Sequence, residues 1–296
     1  MEIVNKKVDF IFTVEVRNAN PNGDPLNGNM PRVDYDGYGE ISDVAIKRKI
    51  RNRWQDMGEK IFVQSTERAD DKIKSLEKRF EKKFGKVDKI EDESIYSESC
   101  KEWLDVRGFG QVITFQKKSI GIRGPISISL AKSLAPVVVQ TMQITRSTNG
   151  EEKEGKASDT MGSKHYIEYG VYKITGSVNC FFSEKTGFNE EDLKTLKEAL
   201  RTLFVNDSSS ARPEGSMSVK QLFWFEHKSK LGKVSTAKIN ELLEYNFDEN
   251  LNAFNKYSDF DIRLNEEKLK EYGGEIKNND NNTSEGDFSV EIMEGI

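Results

Sequence analysis

Histidine and cysteine carry much of the acid–base, nucleophilic and metal chemistry of proteins, and this 296-residue sequence holds two of each. His165 and His227 fall in different segments without HxxxH or HExxH spacing, so zinc catalysis is not indicated. Cys100 and Cys180 form no CxxC pair, which removes a cysteine-rich metal site and a disulfide framework and fits a reducing, cytoplasmic setting. No GxxxxGKS/T phosphate loop and no strand-coupled GxGxxG is present, so the signatures of nucleotide hydrolysis and dinucleotide chemistry are missing. The carboxylate pairs Asp34/Asp36 and Asp70/Asp71 read as solvated surface in so acidic a chain. No catalytic residue, metal ligand or cofactor is expected from these residues.

The cations are more informative. Between Val44 and Gln55 stand five of them and no acid. Lys47, Arg48 and Arg51, at i, i+1 and i+4, occupy adjacent helix faces with no nearby acid to neutralise them, and could follow a phosphate backbone. A solvated helix face is the competing reading, although such faces normally intersperse acids. Just upstream, Asn18-Ala19-Asn20-Pro21-Asn22-Gly23-Asp24-Pro25 is dense in turn residues, and its amides and freed backbone N–H groups suit sugar and phosphate contacts; a purely structural loop is the alternative. Arg107-Gly108-Phe109-Gly110-Gln111-Val112 partly matches the RNP1 pattern, but Gln111 and Thr114 replace aromatics needed for base stacking, so a turn between two elements is the preferred reading.

These residues need elements to position them. Val8, Phe10, Phe12, Val14 and Val16 alternate with polar or mixed neighbours and predict a strand with one core face and one mixed face. Ser42 is a good N-cap for a helix whose stripe is Ile46, Ile50 and Trp54. Residues 60–104 read as a charged helical insertion, with one helix closing at Gly85, and the β-rich stretch 112–139 leads to a hairpin with a long polar tip. Asn189 caps a second amphipathic helix through Leu193, Leu196, Leu200 and Leu203, and the strand SVKQLFWFEHK follows. The order β–α–insertion–β–β–α–β describes an α+β chain on the ferredoxin-like plan shared by RRM domains. No stretch of about 18 apolar residues exists, so no membrane span is expected.

Charge is distributed unevenly. The whole chain has 45 bases and 50 acids, a net charge of −5, which counts against a conventional nucleic-acid binder. From Glu241 to Ile296, however, there are 15 acids and 5 bases, leaving 40 bases and 35 acids in the preceding 240 residues. A mildly basic body thus carries an acidic segment, 241–296, whose last two dozen residues have the composition of disorder. Such a tail would keep a free subunit soluble or discourage nonspecific nucleic-acid binding.

The runs VEVRNANPNGDPLNGNMPRVD (Val14 to Asp34), GYGEISDVAIKRKIR (Gly37 to Arg51), DVRGFGQV (Asp105 to Val112), GIRGPISISLAKSLAPV (Gly121 to Val137), QITRS (Gln143 to Ser147), MGSKHYIEYGVYKITGSVN (Met161 to Asn179) and TGF (Thr186 to Phe188) carry a resemblance. They are similar, in order and over roughly residues 5 to 230, to the CRISPR-associated family-seven backbone subunit of Cascade complexes, nearest type I-C and next type I-B. The resemblance implies an RRM-like palm (1–59 and 105–240), helical fingers (60–104) and a protruding β-hairpin thumb (about 140–166). It also implies a non-catalytic subunit that polymerises with copies of itself along a CRISPR guide RNA, meets target DNA through the guide heteroduplex and adjoins other Cascade subunits. Carried over to this sequence, Arg17, Asn20, Asn22, Lys47, Arg48 and Arg51 are expected on the guide RNA, and Arg146, Lys164 and His165, which flank the thumb tip, and Arg123, in the GIRGP motif, are further RNA-binding candidates. Met142 or Met161 is a candidate wedge at the displaced base, against the commoner role of Met as core filler. Reversing Lys47 and Arg51 to Glu is then expected to abolish guide loading and spare the fold. The alternatives are an endoribonuclease of the RRM-like superfamily, using His165 or His227 with a Tyr or Lys or a loop Asp with a divalent metal, and a protein-binding scaffold.

Overall fold

The computed structural model describes residues 2–145, 161–248, 253–277 and 286–296. The chain enters through strand β1 (Val8–Ala19), a short strand β2 (Tyr38–Ile41) and helix α1 (Asp43–Asp56). Helices α2 (Leu76–Phe84), α3 (Asp92–Glu102) and α4 (Leu104–Phe109) lead to a hairpin of β3 (Gly110–Ile113) and β4 (Ile120–Arg123). Strands β5 (Ile126–Ile128), β6 (Ala131–Pro136), β7 (Val139–Thr145) and β8 (Met161–Val178) follow, then helices α5 (Cys180–Thr186) and α6 (Glu190–Arg201) and strand β9 (Met217–His227). The C-terminal segment adds β10 (Gly274–Ile276) and β11 (Phe288–Glu294).

Strand β1 lies between β8 and β9, antiparallel to both, and β8 pairs antiparallel with β5 and β6 on its other side. With α1 after β1 and α6 after β8, this order is the split βαβ plan of ferredoxin-like folds, so the chain is α+β as its pattern predicts. Val8, Phe10, Phe12, Val14 and Val16 point to the helix side, where Ile46, Ile50 and Trp54 of α1 and Leu193, Leu196 and Leu200 of α6 close the main core. The helix starts are fixed chemically. Ser42 Oγ accepts from Ala45 N at 3.3 Å, and Asn189 forms a reciprocal capping box with Asp192.

The insertion has its own core, in which Phe62, Phe80, Ile95 and Trp103 join Ile113, Ile120 and Ile122. It therefore extends structurally beyond residue 104, into the β3–β4 hairpin. Strand β7 pairs with the start of β8 from Val139↔Ile167 to Thr145↔Met161, forming the two arms of a projecting hairpin.

The second face of β1 differs from expectation. Asp9, Ile11, Thr13 and Glu15 are buried as well, because the C-terminal segment covers them. Ile11, Phe223 and Phe225 pack against Leu242, Leu269, Phe288 and Val290, while Tyr169 and Val171 meet Phe260 and its neighbours Phe247 and Phe254. Strand β11 pairs antiparallel with β9 from Gln221↔Glu294 to His227↔Phe288, and β10 pairs parallel with β11. The disorder expected for the last two dozen residues is therefore corrected at Phe288–Glu294: two side chains, Phe288 and Val290, complete a core whose other half comes from β1 and β9. The part of that expectation on residues 278–285 lies outside the described residues. Polar groups under this layer find partners within it. Asp9 takes hydrogen bonds from His227 at 2.9 Å and Thr236 at 2.6 Å, and the Thr13 and Tyr257 hydroxyls are 2.8 Å apart.

Candidate nucleic-acid interface

The Asn/Gly/Pro loop is held where β1 ends. Asn20 donates its side-chain amide to Asn29 O at 2.7 Å and its backbone N–H to Ala211 O at 2.9 Å. Asn22 Oδ1 accepts from Ser42 N at 2.9 Å, fastening the loop to the first turn of α1. Ala45, Arg48, Lys49 and Asn52, one face of that helix, then look into an open cleft of about 620 Å³. Pro21 to Gly23, the stretch around Ser65 and Arg68, and the turn from Asn206 to Arg212 form its other walls.

Four cations line the cleft, Arg48, Lys49, Arg68 and Arg212, with Glu67 and Asp207 as the acids. Arg48 donates to Val63 O at 2.7 Å, and Arg68 is 3.1 Å from Asp56 and donates to Asn206 O at 3.1 Å. Lys49 is in contact with Asp207, and its ammonium lies 5.3 Å from the Phe204 ring. Burial pulls its pKa down to about 8, against the opposing pull of Asp207. Asn52 Oδ1 and Ser65 Oγ, both on the cleft wall, are buried without a hydrogen-bond partner. Such a surface presents charge and hydrogen-bonding groups, the equipment for sugar and phosphate, and no aromatic slot for a base.

The residues singled out in the sequence separate here. Arg48 and Asn22 line the cleft and Asn20 braces it, whereas Lys47 and Arg51 turn toward α4. Lys47 is 3.0 Å from Asp43, Arg51 Nε is 2.9 Å from Asp105, and both cations sit over the Phe109 ring at 6.0 and 4.9 Å. Asp105 is wholly buried and also accepts from Phe62 N and Val63 N. The reading that no acid neutralises this helix is therefore corrected: one acid is a turn back, and the other is brought by folding from 54 residues away. Reversal of Arg51 would place two carboxylates together in the interior, so it would not spare the fold.

Arg17 lies on the far side of the sheet, bonded to Glu15 at 2.6 Å and Asn255 O at 2.8 Å and stacked 5.0 Å from the Tyr169 ring. Arg123 is exposed over Phe182 at 4.3 Å, away from the cleft. Lys164 and His165 are on the projecting hairpin, where His165 Nδ1 is 2.9 Å from Thr141 Oγ1; Arg146 lies outside the described residues. Met142 and Met161 are 50% and 64% exposed but occupy opposite faces, since Met142 sits across from Lys164 and Met161 across from Thr145. The RNP1-like run is structural: Arg107 grips Asp192 at 2.9 and 2.7 Å, and Phe109 stacks on Trp54 at 5.1 Å. His227 is buried against Asp9, and among the described residues no group of three His, Cys, Asp or Glu could hold a metal ion.

Sequence reasoning missed Lys49, Arg68 and Arg212. Lys49 was within reach, since it shares a helix face with Arg48 and Asn52; the other two come to the cleft only through tertiary folding.

The model of the family CRISPR-associated protein Cas7 matches residues 6–265. The chain belongs to this family. A curated Cas7 of Haloferax volcanii is 26% identical over 225 residues, which cover 68% of this chain and 65% of that relative. The match thus spans slightly less than two thirds of the relative's length. Among solved structures, a chain of a CRISPR RNA-guided surveillance complex, pre-nicking, superposes with a TM-score of 0.48 at 15% identity, over 74% of this chain and 78% of that one. A chain of a Type III-B Cmr-beta complex bound to cognate target RNA gives 0.38 at 13%, over 73% and 60%. For this Cas7-family chain the fold itself narrows the choice of surface. The central sheet is covered on one face by α1 and α6 and on the other by the C-terminal segment, and the polar cleft beside α1 is, at about 620 Å³, a concave surface with four cations among the described residues. A second hollow, of about 420 Å³, lies in the insertion and is lined by Lys60, Arg79, Lys82 and Lys83 with Asp70, Asp71 and Glu102.

Proposed function

We propose that this Cas7-family chain is a non-catalytic, guide-RNA-binding backbone subunit of a cytoplasmic Cascade complex, of the type I-C kind or the neighbouring I-B kind. The observation that carries the reading is the cleft between the Asn/Gly/Pro loop, α1 and the 206–212 turn, with its four cations and its unpartnered Asn52 and Ser65 oxygens. A protein that serves any spacer must hold the backbone and ignore base identity, and this lining suits that task. Copies of the chain would follow one another along the spacer, target DNA would be selected by pairing with the guide, and other Cascade subunits would close the assembly. The projecting hairpin, through Met142 or Met161, would displace a base between successive copies.

The test is RNA retention by Arg48→Gln combined with Arg212→Gln, two neutral changes on the cleft wall. Without these two cations to neutralise phosphates, the slope of log affinity against log salt for single-stranded RNA should fall by about 1.4. A folded double variant that retains RNA like the parent, with the same slope, would exclude the cleft.

A further inference from the structure

Asp207 is an anion placed where the proposed ligand is also an anion. Its carboxylate touches the Lys49 ammonium and lies 3.9 Å from Arg212 Nε, so one acid bridges two of the four cleft cations. Lys49 and Asp207 are 158 residues apart in sequence and have side-chain exposures of 7% and 12%. Two cations brought to one carboxylate, Lys49 nearly buried and Arg212 29% exposed, repel one another; burial and the nearby Arg212 both work against the charged form of Lys49. The pair needs an anion between them. A carboxylate supplies it in the free chain, and a phosphodiester oxygen has the same charge and hydrogen-bonding capacity.

The acid is also mounted so that it can leave. Asp207 follows Asn206, whose φ is 58°, and precedes the exposed serines Ser208, Ser209 and Ser210. Lys49, by contrast, is fixed in α1, whose opposite stripe is locked in the core. Turning the Asp207 side chain outward disturbs an exposed turn and no packed element.

We infer that Asp207 is a displaceable internal counter-ion, holding the phosphate position between Lys49 and Arg212 until guide RNA replaces it. The inference rests on the RNA-binding reading of the cleft. Its consequence is selectivity. Every incoming anion must first displace Asp207, and a ligand gripped at many further points meets that penalty while a loosely held polyanion does not. An RNA-free subunit therefore does not carry a permanently open anion trap.

The experiment measures binding of a short fluorescent single-stranded RNA of mixed sequence to the full chain across a salt series, using Asp207→Asn, Lys49→Met and the double variant. Asp207→Asn should bind roughly three- to tenfold more tightly, with a salt slope steeper by about 0.7, for one additional uncompensated positive charge per site. Lys49→Met should weaken binding, and the double variant should stay near the parent. If Asp207→Asn weakens binding as much as Lys49→Met, the carboxylate positions Lys49 and the counter-ion role is wrong. If none of the three variants changes affinity, the cleft is not the RNA site and the functional reading fails with it. Melting curves check the fold, and Asp207→Ser, a smaller polar replacement, must show the same tightening.

Discussion

Phe288 offers the sharpest test of the C-terminal segment as part of the domain rather than an appendage. Its side chain is fully buried in a cluster with Phe225, Leu269 and Val290, 6.4 Å from the Phe225 ring and 5.1 Å from the His227 ring. Phe288→Ala removes the ring from a site walled by β9, β10 and a helix, none of which can collapse into the space without breaking strand pairing. Such a truncation costs about 3–5 kcal/mol, a large share of the ~5–15 kcal/mol that holds a typical domain together. At about 2–4 °C per kcal/mol for chains of roughly this size, the melting point should fall by about 6–20 °C. Urea unfolding followed by circular dichroism, with the midpoint converted at constant m-value, reads the loss directly. A disordered tail predicts a change within ~0.5 kcal/mol, as for a surface substitution. A loss that small would refute the layered account. Deletion of everything after Tyr245, which a solubilising tail would tolerate, should for the same reason give insoluble protein.

Other expectations follow from the same geometry. Arg51→Glu should destabilise by about 3–5 kcal/mol, since it leaves Asp105 buried without its cation, while Arg48→Gln should cost about 1 kcal/mol; parallel urea curves compare them. Burial raises the Asp9 carboxyl, but hydrogen bonds from His227 and Thr236 and the charge of Lys7 outweigh it, so its folded pKa lies below the usual carboxylate value. Asp9 then stabilises the fold above about pH 4 and that contribution is lost as pH falls through its depressed folded value, so Asp9→Asn should flatten the acid limb of the stability profile. Asn189→Ala should cost about 0.5–2 kcal/mol through loss of the capping box of α6. Incubation with labelled repeat RNA and matched target RNA, with and without magnesium, should leave both intact; discrete fragments would favour the endoribonuclease alternative.

Local pattern carried the central strand and the two helices packed on it. Alternation in β1, the Ile46–Ile50–Trp54 stripe and the Asn189 cap are each complete within a dozen or so residues, and their burial follows the pattern. The C-terminal layer was illegible for the opposite reason. Leu242, Phe260, Leu269 and Phe288 are scattered through an acidic stretch, and each is apolar enough to matter only because β1 and β9 present a second face for them. Composition therefore read as a tail what folds as a wall. The candidate site was half legible on similar grounds. Arg48 and Asn22 stand in adjacent motifs, but counting nearby acids could not foresee Asp105 or Asp207, which neutralise α1 from 54 and 158 residues away. The five cations of one helix thus take three directions: Lys47 and Arg51 support the join to the helical insertion, Arg48 and Lys49 face the cleft, and Arg53 donates to Thr202 Oγ1 just after α6.

The central claim is that RNA lies in the cleft beside α1. Ultraviolet crosslinking of the assembled particle, with the crosslinked peptides mapped by mass spectrometry, addresses it most directly. Crosslinks should fall on Pro21 to Gly23, on the Arg48 and Asn52 side of α1 and on the Asn206 to Arg212 turn. Crosslinks confined to the Arg123 and Phe182 surface or to the C-terminal layer, with the cleft peptides unmodified, would contradict it.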